Sequence, residues 1–560
     1  MRICTFVVLS LLLVHHLAHA QTPHIKGDIY ISVKAGTVKA NLTVSNLPNT
    51  TNYVIRLNSG FNIQAFRDST DSFSYAAQRA YDPEKSYESF QYWFPAKDNK
   101  SRFLPRQFRV SYVGAFPVYG DSVKKSDRGD WKGNIAFNGK TVRATEQSAW
   151  YPILYDTLED RTYQNVTYDL TIHSPDVQSI YLNGAPPQSG QTAHFKSDRP
   201  YPLLLFVGDF AFRKERSTYL INTSLSGSQA EVLDGWFSRI KAYYQQHLQI
   251  PYGADVTILA STPISKRNDW MFVTYPTIAS VSPTGWLNTL VDDKKQALSD
   301  SSLLSFIAHE LGHYYFGSVI SPNSTLRWPF LEGMTEYISL QVTRDLLGQS
   351  FYDRQIKQYV GACKNLTDFT PLKKIITTSE ITETYRYQYI PLMLTALERQ
   401  IGREQMWKWL KTILVTPNPT TNYALFRSTL SQSGVNEKTI EAFEKTYLES
   451  DDGLPALIAQ FKPTSSAYYC WGIAKEVPKT GDTRKPQAFY TTIKSIKYDD
   501  KELGKVAQQY FDFAKSHCAP ANETCTSDFN SYDNLEDAQK AQARWIKNLS
   551  EKYTVKQIEF

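Results

Sequence analysis

The sequence predicts an α+β multidomain chain: an N-terminal β domain, a helix-rich domain and a small C-terminal unit. Three observations predict it. Apolar and polar residues alternate with period two from Ile29 to about Lys214. After Gly227 the period lengthens to that of amphipathic helices and holds to about Leu448. The stretch Phe461 to Ser466 then reads as a linker before a last unit of low hydrophobicity. At roughly 100–200 residues per domain, a chain of 560 residues accommodates about three or four such units. The expected boundaries are residues 1–20, 21–228, 229–455 and 456–560.

Residues 1–20 carry a single basic residue, Arg2, a nearly all-apolar run from Phe6 to Val14, and the small-residue ending Ala18-His19-Ala20. That is the pattern of a secretory signal peptide, so export to the periplasm or the extracellular space is expected. No later segment supplies the ~18 consecutive apolar residues of a membrane span. With 61 basic against 55 acidic side chains spread along the chain, there is no footprint for nucleic acid. A hydrophobic content of 42% and an aromatic content of 14% exclude a disordered polypeptide.

In the β domain, Ile29 to Val33 and Val38 to Val44 flank Gly36, and Val166, Tyr168, Leu170 and Ile172 alternate with polar neighbours. Asn183-Gly184 after Ile180-Tyr181-Leu182 is a hairpin signal. The run Leu203 to Val207 reads as a strand buried on both faces. Beyond Gly227, the spacing of Val232, Trp236, Ile240 and Tyr243 predicts an amphipathic helix. Of the cysteines beyond the signal, Cys363, Cys470, Cys518 and Cys525, none forms a C-x-x-C pair, and Cys518 and Cys525 are the candidates for a local disulfide.

The chemistry concentrates in Ala308-His309-Glu310-Leu311-Gly312-His313, which uses two of the seven histidines that follow residue 20. On a helix, i and i+4 share a face, so His309 and His313 reach one ion while Glu310 stands beside it. Leu303, Leu304, Ile307, Leu311, Tyr314 and Tyr315 supply the apolar stripe of that helix, Ser301 or Ser302 its N-cap, and Gly317 follows its last turn. Glu332 comes nineteen positions after His313, at the head of a second apolar-periodic helix that ends at Gly348. Two His and one Glu form a three-ligand zinc set with an open fourth position, the arrangement of catalytic zinc. Glu310 is then the candidate general base, and Glu336, one turn beyond Glu332, the candidate partner that orients a ligating imidazole.

H-E-L-G-H-x18-E, with Gly333, Glu336-Tyr337 and the continuation Tyr315-Phe316-Gly317, resembles the gluzincin metallopeptidases, specifically the aminopeptidase N type. The resemblance covers most of residues 21–450, including Trp150-Tyr151-Pro152 and Phe206-Val207-Gly208-Asp209-Phe210. It implies an N-terminal antiparallel β-sandwich-like domain, a thermolysin-like mixed α/β catalytic domain, one Zn2+ per chain and a peptide substrate. The last hundred or so residues are shorter than the family's C-terminal part and match nothing in it. The family holds the oxyanion with a tyrosine. In Tyr385-Arg386-Tyr387-Gln388-Tyr389, the match of Leu397 to Gly402 with the family's helix favours Tyr387 over Tyr385 and Tyr389.

One departure bears on specificity. The family's Gly-x-Met-Glu-Asn, whose Glu grips a free amino group, corresponds here to the text around Ser265 to Trp270. Asn268 replaces that Glu, Asp269 is the neighbouring carboxylate, and Glu146 in the N-terminal domain is a second candidate amine contact. The expectation is an exported, aminopeptidase-like zinc metallopeptidase. An endopeptidase, a non-peptide hydrolase of the same fold and a non-catalytic binding protein are the alternatives.

Overall fold

The computed structural model of the chain describes residues 22–68, 75–79, 89–96, 101–119, 133–263, 270–281, 285–461, 467–477, 484–518, 525–532 and 534–560. It divides into two compact units, one ending at Gln460 and one beginning at Phe461. The helix Gly453–Gln460, with Leu454 and Leu457 buried, belongs to the first unit, so that unit extends past the expected boundary at residue 455. No helix among the described residues is long and apolar enough to cross a membrane.

Period-two patterning produces the N-terminal part. Asn165–His173 buries alternate residues along its whole length and lies between Thr192–Pro202 and His24–Ser32 in a six-stranded sheet. Two five-stranded sheets accompany it, and residues from all three, such as Ile25, Ile55 and Val207, share one apolar core. Among the described strands of these sheets, pairing is antiparallel except between His24–Ser32 and Asn165–His173, which run parallel, and an isolated parallel bridge joins Val118 to Phe137. The strand Leu205–Gly208 is central in its sheet. Its neighbourhood is buried on both faces because Leu205 and Val207 face the β core, while Leu204 and Phe206 pack with Ile221, Leu259 and Phe272 of the next sheet.

That next sheet has five strands in the order Phe212–Glu215, Thr218–Ile221, Val256–Leu259, Thr277–Val281, Trp270–Thr274. Its first two strands lie before residue 228, so the helix-rich half begins earlier than its first helix. The inner pairings are parallel, and the edge strand Trp270–Thr274 runs antiparallel to Thr277–Val281.

Five helices frame the site: α1 (Gly227–Leu248), α2 (Leu303–Gly312), α3 (Met334–Leu347), α4 (Gln349–Cys363) and α5 (Ile390–Ile401). The reciprocal hydrogen bonds of Ser226 and Gln229 start α1. Its buried stripe is Leu233, Phe237, Ile240, Tyr244 and Leu248, rotated from the expected Val232 and Trp236. The start of α2 also differs from expectation. Neither serine hydroxyl caps it; Asp300 Oδ1 accepts from the Ser302 backbone N–H at 2.8 Å. Past Gly312 the chain widens into a π-type turn at Tyr314–Val319, with Phe316 outside helical geometry, so Gly317 lies inside this turn.

Two glycines set how closely the site-bearing helices approach. A Cβ on Gly312 would stand 3.0 Å from Thr335 Cγ2 and 3.2 Å from Ile338 Cδ1, so its absence lets α2 cross close to α3. A Cβ on Gly333 would collide with Ile390 Cγ2 and stand 2.7 Å from Ile390 Cβ. Alanine ordinarily favours a helix over glycine by about 1 kcal/mol, but here overpacking of about 1–3 kcal/mol opposes it. Gly333→Ala is therefore expected to lower the melting temperature; an unchanged or raised value in thermal denaturation would contradict this packing.

The second unit has a five-stranded sheet in which Ala467–Glu476 pairs with Gln487–Thr491, Lys494–Lys497 and Cys525–Tyr532. The helices Asp500–Cys518 and Leu535–Ser550 accompany it, and Trp471 and Ile473 anchor its core with Ala538 and Leu549. The expected disulfide is not formed: Cys525 carries a free thiol. The Cys518 side chain lies outside the described residues.

Candidate metal centre and its cleft

The i, i+4 spacing on α2 places the His309 and His313 rings 4.7 Å apart and nearly perpendicular. Glu332 arrives from the π-type turn Pro329–Gly333, which leads directly into α3. Its Oε2 lies 3.3 Å from His309 Nε2 and 3.4 Å from His313 Nε2, and the three ligand atoms all fall within 4.8 Å of one another. For zinc bonds of about 2.0–2.1 Å, the edge of a tetrahedron is about 3.3 Å. Glu332 Oε2 is also buried with no hydrogen-bond partner among the described residues, a costly arrangement that a cation relieves. Burial pushes the Glu332 carboxyl up, but the imidazoles of His313 and His309 outweigh this and hold it well below the usual range, in the anionic form that a cation binds. The residues present fit a zinc ion.

An outer set of contacts orients one imidazole. His309 Nδ1 lies 2.5 Å from Glu336 Oε2, which leaves Nε2 facing the metal position, and the Tyr359 hydroxyl donates to the other oxygen of Glu336. Tyr359 comes from α4, where its spacing with Tyr352, Ile356 and Cys363 reads only as a core stripe. No motif in the sequence signals it. His313 Nδ1 has no hydrogen-bond partner among the described residues.

Glu310 lines the cleft beside His309 and His313. Burial raises its pKa, the two imidazoles pull it down, and the carboxylates of Glu332 and Glu336 reinforce the rise, leaving it above the ordinary value. Tyr387 belongs to a third π-type turn, Tyr385–Tyr389, and its ring centroid is 5.9 Å from that of His309. Burial, then the charge of Glu332, raises its pKa, so the hydroxyl stays protonated as a donor. The flanking tyrosines are engaged elsewhere: Tyr385 donates to the Thr370 carbonyl at 2.9 Å and Tyr389 to the Tyr447 carbonyl at 3.2 Å. Of the three, Tyr387 lines the cleft.

The cleft has a volume of about 450 Å³. The edge strand forms one wall through Met271 to Thr274. Glu146, buried at the start of a short turn in the N-terminal domain, lines it as well and accepts from Thr274 Oγ1 at 3.1 Å. Asn268 and Asp269 lie outside the described residues, just before the edge strand. Arg327, Trp328 and Arg386 also line the cleft. Sequence reasoning missed all three, although the place of Arg386 between two flagged tyrosines was a usable signal.

The sequence matches no protein-family model and no curated protein. Its fold is similar to solved structures. Yeast LTA4 hydrolase superimposes with a TM-score of 0.54 at 13% identity, over 77% of this chain and 66% of the hydrolase. This chain thus spans just under two thirds of that protein's length. An M1 zinc metallopeptidase from Deinococcus radiodurans gives a TM-score of 0.51 at 15% identity, over 76% of this chain and 93% of the other. A mutant of the Deinococcus protein bound to a Tyr-Ser-Ala substrate gives 0.51 at 14% identity, over 77% and 94% of the two chains. At such identities the likeness is one of fold: a multidomain α+β architecture in which a β domain precedes a helix-rich domain.

Proposed function

We propose that this chain is a zinc-dependent metallopeptidase, exported by its N-terminal signal sequence and aminopeptidase-like in action. The observation that carries this reading is the convergence of His309 Nε2, His313 Nε2 and Glu332 Oε2 beside Glu310 in an open cleft. Zinc held by these three residues supplies an acidified water and polarises a carbonyl. Glu310, with its raised pKa, takes the proton of the attacking water and delivers it to the leaving nitrogen. Tyr387 donates a hydrogen bond to the developing oxyanion. The edge strand Trp270–Thr274 pairs with Thr277–Val281 and lines the cleft through Met271 to Thr274, so an extended peptide lies alongside it. Glu146 presents a carboxylate suited to a positively charged substrate amine.

Endopeptidase action is the second reading, favoured by Asn268 standing where an amine-gripping Glu is expected. Aminoacyl chromogenic substrates and N-blocked, internally quenched peptides separate the two. The aminopeptidase reading expects cleavage of the former, and preference for blocked peptides would overturn it. Tyr387→Phe keeps the ring and removes the donor, so kcat is expected to fall by about a hundredfold or more with little change in KM. A kcat within threefold of the parent would remove Tyr387 from the mechanism.

A further inference from the structure

We propose that Arg386 is the carboxylate-recognising residue of the cleft, so that preferred substrates carry a carboxylate, on a side chain or at their C-terminus, near the bond that is cut. This rests on the peptidase reading and names its substrate class.

The Arg386 guanidinium is built into the site. Its Cζ lies 4.6 Å from the centroid of the Trp328 ring and 5.2 Å from that of Tyr387. These aromatic rings hold it and partly desolvate it. The side chain is 18% exposed, and Nε is buried with no hydrogen-bond partner among the described residues. Its ion partner among the described residues is Glu383, at 3.5 Å from Nη2 with 85% of the side chain exposed, a long contact that screening weakens. A guanidinium has five donors arranged as a fork that matches a carboxylate. Here most of that capacity is unspent, one ring away from the metal ligands.

Three of the four acidic side chains of the cleft have partners of their own, and the fourth, Glu310, stands beside the two histidines. Glu332 faces the metal position, Glu146 accepts from Thr274, and Asp160 accepts from the Tyr155 hydroxyl at 2.6 Å. Arg327, whose Cζ is 5.0 Å from the Trp328 ring centroid, adds positive charge on the same wall. An incoming carboxylate thus meets a partly buried, oriented cation within reach of the chemistry. A merely mechanical Arg386 that steadied Tyr387 would instead affect every substrate alike, through kcat.

The test uses the full zinc-loaded protein and two peptide pairs: a tripeptide as its free acid or its carboxamide, and carboxamide peptides differing by Glu or Gln. The expected result is a preference for the carboxylate member of at least one pair of roughly ten- to hundredfold, expressed in KM. The pair that shows it identifies the source of the carboxylate. Arg386→Gln should bring that ratio close to one, and Arg386→Lys, which keeps the charge without the fork, should give an intermediate ratio. Calorimetric binding of the same peptides to the Glu310→Gln protein should reproduce the wild-type ratio without turnover. Equal KM values in both pairs, a ratio that survives Arg386→Gln, or a uniform loss of kcat would overturn the proposal. A binding preference with no hydrolysis of any peptide by the zinc-loaded protein would sink the peptidase reading and leave the carboxylate site standing.

Discussion

Glu310→Gln is expected to keep zinc at one per chain and to lose peptide turnover by about 10²–10⁴-fold. Its carboxylate is not among the three converging ligand atoms, so the isosteric amide leaves the metal position intact. What the amide cannot do is accept a proton. Burial raises the Glu310 pKa and brings it nearer to that of a useful base, and the loss of that base corresponds to about 3–5 kcal/mol of barrier. Metal analysis by mass spectrometry together with kcat on one peptide checks both halves. Turnover within tenfold of the parent, with metal retained, would remove Glu310 as the base.

His309→Ala is expected to lose metal and activity together. It removes one of three ligand atoms and leaves Glu336 with only the Tyr359 hydroxyl of its two partners. The affinity for zinc should fall by more than about a hundredfold, beyond the loss expected when only an outer hydrogen-bond partner is removed. Because zinc binds the folded protein, adding it at about a hundred times Kd stabilises the parent by about 2.7 kcal/mol and raises its melting temperature. The variant should show no such rise at the same zinc concentration. A parent-like zinc-dependent shift would place the metal elsewhere.

Much of the site was legible because its information is local. The i, i+4 spacing of His309 and His313 needs only a helix, and the apolar stripe through Leu304, Ile307 and Leu311 specifies that helix and its buried face. Glu332 was legible from its distance along the chain, since two helices joined by a short loop return a residue to its neighbour. Alternation in Asn165–His173 likewise encodes a half-buried strand without reference to its partners. Less of α1 was readable: its capping box is local, but the facing elements decide which of its apolar stripes is buried.

Tyr359, Arg386 and the identity of the cleft tyrosine were not legible in this way. Tyr387 and Glu332 stand in π-type turns, and each such turn adds a residue that rotates the following face by about 100° relative to a regular helix. Three tyrosines at alternate positions therefore could not be ranked by helical periodicity. The fold ranks them, by giving Tyr385 and Tyr389 backbone carbonyls and leaving Tyr387 to the cleft.

By itself, then, the sequence singled out the converging group His309, His313 and Glu332, the candidate base beside it and the order of β and helix-rich parts, because each depends on the period of one element or the spacing of two neighbours. The spacing after Glu332 also pointed to Glu336, whereas the tertiary structure alone brought Tyr359 to Glu336 and Arg386 to the cleft wall. Glu336 reaches Tyr359 where α3 packs on α4, and Arg386 reaches Trp328 where the close approach of Gly333 to Ile390 brings the turns Pro329–Gly333 and Tyr385–Tyr389 together. Such contacts depend on how closely whole elements approach, and no periodicity within a single element records that distance.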